Sequence, residues 1–117
     1  MKQSITNAND QLKEYSCTDN YYRHLSGFLY TDGVKALCTE FECYWLLNLI
    51  CSYQSGLQGE DFQVWSLGVN EDESTVVICT DGNDNALKTQ TIPYTDFKAK
   101  EATVWVEGNV VLLPSEH

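Results

Sequence analysis

The chain has 117 residues, 43% of them hydrophobic, and a net charge of −10. That length fits one domain with a real core, and the apolar fraction excludes a disordered acidic tail. The charge argues against direct nucleic-acid or anionic-membrane binding, both of which rest on clustered Lys and Arg.

Residues 1–16 are polar and lack the apolar run of a secretory leader. They hold at most a short helix, capped by Thr6 or Asn7 and anchored by Leu12, or a frayed, loosely attached end. Tyr21–Tyr30 is rich in aromatic residues and reads as a short helix broken at Gly27. Thr31-Asp32-Gly33 is a helix start, with Thr31 or Asp32 as N-cap. Val34, Leu37, Cys38, Phe41, Trp45 and Leu49 then recur at helical spacing. Past Tyr44 the segment is apolar all round, so Tyr44–Tyr53 reads as a buried central helix that stops at Ser55-Gly56.

After Gly59 the hydrophobic period changes from 3.6 to 2. Phe62–Val69, Thr75–Thr80, Leu87–Ile92, Thr103–Val106 and Val110–Leu113 read as strands. The connections are short, so neighbours pair antiparallel. The expected fold is a single α+β domain. Its helical part (20–56) packs on one face of an antiparallel sheet of four to five strands (60–114).

Two dense blocks stand out. Tyr22-Arg23-His24 is followed by Leu29-Tyr30-Thr31-Asp32-Gly33-Val34, and Tyr44-Trp45-Leu46-Leu47 by Ser52-Tyr53-Gln54. Phe62-Gln63-Val64-Trp65 comes next, and Leu113-Pro114-Ser115-Glu116 closes the series. In this order the chain resembles a family of small bacterial proteins known only as a domain of unknown function, over residues 20–116. The resemblance implies a free-standing bacterial domain and brings no activity, cofactor or catalytic residue. The chain departs from it at Glu42, where relatives often carry the glycine that would break the helix.

The five cysteines, at 17, 38, 43, 51 and 79, form no CxxC pair. They read as reduced core thiols of a cytoplasmic protein rather than as a metal site. Asp81–Asn85 faintly resembles a calcium loop but lacks its glycine and its final glutamate, so it reads as a hairpin turn. No cofactor or metal is expected.

Two candidate sites follow. Arg23, His24, Tyr30, Asp32, Tyr53 and Gln54 could line a polar cleft for a small anion or an unrecognised reaction. The structural alternative pairs Arg23 with Asp32 and gives His24 a buried hydrogen bond. The second candidate is a surface. From Ala36 to Leu87 there is no Lys, Arg or His, yet there are nine carboxylates. Glu60, Asp61, Glu71, Asp72, Glu73, Asp81 and Asp84 make an acidic interaction face; Trp45, Trp65 and Trp105 read most simply as core residues, and alternatively Trp65 and Trp105 are aromatic anchors of that face. The leading expectation is a non-catalytic domain that binds a basic protein. It would act as an inhibitor or accessory factor of a nucleic-acid-handling protein, in the manner of anti-CRISPR proteins. A homodimer through an edge strand or an exposed sheet face is a further option.

Overall fold

The fold is taken from a computed structural model and described for residues 7–83, 85–93 and 99–117. Its centre is a sheet of seven strands. They are β1 (Tyr21–Arg23), β2 (Leu29–Thr31), β3 (Phe62–Val69), β4 (Thr75–Thr80), β5 (Ala86–Ile92), β6 (Glu101–Glu107) and β7 (Val110–Leu112). The order across the sheet is β1-β2-β7-β6-β3-β4-β5. The sheet is larger than the four to five strands expected, and it is mixed: β2 runs parallel to β7, and every other pair is antiparallel.

The extra strands come from Tyr21–Tyr30, which is a β-hairpin and not a helix. Its aromatic residues suit a pleated surface as well as a helix face. Gly27, at φ +97°, makes the tight reversal between the two strands. Each strand has only three residues, so the hairpin depends on β7 alongside it.

Helix α1 (Ala8–Gln11) is capped by Asn7 and buries Ala8, with Leu12 just beyond it. Helix α2 (Asp32–Glu40) starts at Thr31, whose hydroxyl accepts the Val34 N–H at 3.3 Å. The apolar stripe does not continue as one helix. It breaks at residues 41–43, where Glu42 takes φ +55°, and resumes as α3 (Tyr44–Ser52). A short 3₁₀ turn (Gln54–Gly56) follows α3, and a second (Pro114–Glu116) follows β7.

The inward residues of the strands include Trp65, Leu67, Val77, Cys79, Val104, Val106 and Val111. They share one core with Leu37, Cys38, Leu46, Leu47 and Ile50 of the helices. Among the described residues no helix is long and apolar enough to cross a membrane.

Candidate functional site

The two ends of the motif series meet at the start of α2. Glu116 accepts the Gly33 N–H at 3.0 Å, the Leu113 N–H at 2.9 Å and the Thr31 hydroxyl at 2.5 Å. A carboxylate at a helix N-terminus satisfies orphan N–H groups and complements the dipole. Glycine fits closely here: a Cβ on residue 33 would stand 2.6 Å from Glu116 Oε1 and 2.7 Å from Leu113 Cδ1, so those side chains would have to shift.

Asp32 works beside this joint. It accepts the Tyr22 hydroxyl at 2.8 Å and the N–H groups of Asp19 and Asn20 at 3.0 and 3.2 Å. The Tyr22 hydrogen bond, ahead of the two backbone amides, holds Asp32 below its usual carboxylate range, against a smaller opposing desolvation. Arg23 does not pair with Asp32. Its side chain is exposed on the edge strand β1. Tyr22 instead stacks against Tyr30, with centroids 5.5 Å apart, and lies under Lys35 Nζ at 4.4 Å. Burial pushes the Tyr30 phenol up.

His24 is partly exposed and not buried as the structural alternative held. Its Nδ1 accepts the Ser26 N–H at 3.0 Å, so Nε2 carries the proton and donates to Asn48 Oδ1 at 2.7 Å. Tyr53 faces elsewhere: its hydroxyl donates to Gln90 Oε1 at 2.6 Å, and its ring tilts against Trp65. Asp32, His24 and Tyr53 are therefore bonded to three separate sets of partners.

Gln54 belongs to a fourth set. Gln54 and Gln63 exchange amide hydrogen bonds, both at 2.9 Å, and Trp65 Nε1 donates to the same Gln63 oxygen. Gln54 also donates to the Ile50 carbonyl at the end of α3. All three side chains are buried, and Trp65 is only 2% exposed. Trp65 is thus a core residue whose N–H is satisfied from within, and it is no part of an interaction surface.

Trp105 lies on the sheet face opposite the core, half-buried. Its ring meets Phe62 edge-on at 5.1 Å and His117 at 5.2 Å.

The acidic residues do not form one continuous field. Glu60, Asp61 and Asp81 lie where β3 begins and β4 ends, and Glu71, Asp72 and Glu73 lie in the turn at the other end of those strands. The two groups are separated by an eight-residue strand, about 25 Å. Asp84 falls outside the described residues. Side-chain and backbone hydrogen bonds from Ser74 lower the Asp72 carboxyl, and those from Asn85 and Asn83 lower Asp81, so both are turn-builders as well as charges.

Two open grooves lie near these ends. One, of about 540 Å³, is lined by Ser26, Phe28, Cys51, Leu57, Glu60 and Asp61 among others. The other, of about 510 Å³, runs beside Gly68 and is bounded by Ser66, Val76, Ile78, Asn70, Lys100 and Glu101.

The sequence alone did not mark Ser26 or Asn48 as partners of His24, nor Gln63 and Glu116 as bonding hubs. The signal was present in Phe62-Gln63-Val64-Trp65 and Leu113-Pro114-Ser115-Glu116, two of the motifs that carry the resemblance. No curated protein and no solved structure matches the chain. Residues 6–117 match a family of unknown function, DUF6876, and the chain belongs to that family.

Proposed function

We propose that this protein is a bacterial, cytoplasmic binding domain for a basic protein. The helices cover one face of the sheet and leave the other to the partner. The observation that carries this reading is the groove of about 510 Å³ beside Gly68, which is lined by exposed Ile78 and by Lys100 and Glu101. It runs to the turn that holds Glu71, Asp72 and Glu73. An apolar strip that leads to a turn with three carboxylates is complementary to a segment with an aliphatic centre and Lys or Arg at its end.

Proteins with large basic clefts are chiefly those that handle nucleic acid. The role that fits is an inhibitor or accessory factor of such a protein, carried by a phage or mobile element.

The test is affinity capture from nuclease-treated bacterial lysate at low and high salt. It uses the wild-type chain and a Glu71→Lys/Glu73→Lys variant. A basic nucleic-acid-handling protein held by the wild type, weakened by salt and lost by the variant supports the reading. An empty capture, or equal capture by the variant, overturns it.

A further inference from the structure

The β1–β2 turn presents Leu25 wholly to solvent, and Tyr21 on β1 is 59% exposed. Arg23 is exposed on the same side of β1 as Tyr21. Tyrosine and arginine are enriched in interface hot spots, and here they flank an exposed leucine. The next residues of this turn, Ser26 and Phe28, line the groove of about 540 Å³. Its walls include the apolar Cys51 and Leu57, and Glu60 and Asp61 stand among its lining residues. Among the described residues the ion pairs are Lys13–Asp10 and His117–Glu107, so Arg23, Glu60 and Asp61 have none.

We infer that this patch is the interface of a two-fold homodimer. Leu25 of each copy enters the groove of the other, and Arg23 faces Glu60 and Asp61 of the second copy. A two-fold interface needs a projection and its receptor within one continuous patch of a single chain. Ser26 and Phe28 supply that continuity, because they belong to the turn that carries Leu25 and to the wall of the groove. Charge complementarity also selects a second copy. Each chain brings one unpaired cation and a pair of unpaired carboxylates, and the two-fold axis uses both twice. Two chains of charge −10 repel at long range, so association strengthens at moderate salt, where that repulsion is screened and the short Arg23 contacts persist. The groove lies at the other end of β3 from the acidic turn assigned to the basic partner, so either assignment can fail without the other.

The test is the mass in solution of the full chain, by sedimentation or light scattering across the micromolar range. Wild type, Leu25→Asp, Arg23→Glu, Asp61→Arg and the double variant Arg23→Glu/Asp61→Arg are compared. Circular dichroism melts verify that each variant is folded. The wild type is expected to dimerise with concentration, the three single variants to remain monomeric, and the double variant to dimerise again. A wild type that stays monomeric overturns the inference, as does a dimer that survives both Leu25→Asp and Arg23→Glu. Failure of the double variant to recover overturns the pairing of Arg23 with Asp61.

Discussion

Glu116 accepts the backbone N–H of Gly33 across 83 residues of sequence, and the fit is so close that a Cβ on Gly33 would displace the Glu116 carboxylate. The pair locks the residues after β7 onto the start of α2. Glu116→Ala leaves the N–H groups of Gly33 and Leu113 and the Thr31 hydroxyl without their acceptor. A loss of about 2–3 kcal/mol is expected in urea unfolding, because abandoned buried donors cost more than a hydrogen bond returns. Gly33→Ala is expected to destabilise comparably by steric conflict. An unchanged midpoint in both variants would remove the joint from the account.

The amide pair of Gln54 and Gln63 gives a second prediction. Gln63→Leu keeps the volume but orphans Trp65 Nε1 and one Gln54 donor. A loss of about 2–4 kcal/mol is expected, with a change in Trp65 fluorescence as its N–H partner disappears. Gln11→Leu, at an exposed position, is the control and is expected within about 1 kcal/mol of the wild type. Equal effects of the two substitutions would contradict the network.

Glu42 sits at φ +55° between α2 and α3, where a side chain costs energy and glycine does not. Glu42→Gly is expected to raise the melting temperature, with a gain of up to about 1 kcal/mol. A lower melting temperature would mean that the contacts of Glu42 outweigh its backbone strain.

Asp32 gives the pH dependence. Its folded-state pKa lies below the ordinary 3.8, chiefly through Tyr22. Its contribution to stability is therefore complete above that ordinary value and is lost as pH falls through the lower, folded value. Tyr22→Phe removes the largest cause. A carboxyl titration followed by NMR is expected to place Asp32 below 3.8 in the wild type and nearer to it in the variant. Coincident titrations would refute the assignment.

Of the five cysteines, Cys17 alone is exposed. Burial raises the Cys51 thiol and pushes Cys79 up to about 11. A thiol reagent at neutral pH is expected to modify one cysteine quickly in the native protein, and Cys17→Ser to abolish that phase. Two fast equivalents would mean that the core is more open than the fold indicates.

Local chemistry was readable in the sequence: the Thr31 cap, the apolar positions of α2 and of α3 taken separately, and the hairpin formed by β3 and β4. These depend on neighbours a few residues apart. Tyr21–Arg23 and Leu29–Thr31 were misread because strands of three residues carry almost no period, and β7 decides their state from far along the chain. Trp65 was open between core and surface because alternation defines two faces without saying which one is buried. The site residues were recognisable as motifs, but the partner of each, Glu116 for Gly33 or Gln63 for Gln54, is a tertiary fact.

The parallel seam between β2 and β7 also bears on synthesis. Among the described residues it is the only pairing that joins the early hairpin to the later strands, and it brings Leu29 beside Val110. During translation β1, β2 and α2 leave the ribosome well before their sheet partner has been made. Until residues 110–116 emerge, the hairpin has an open edge and the start of α2 lacks its carboxylate. The nascent chain passes through this exposed interval before the sheet can close, and a message cut short before residue 110 would release a product with no joined sheet.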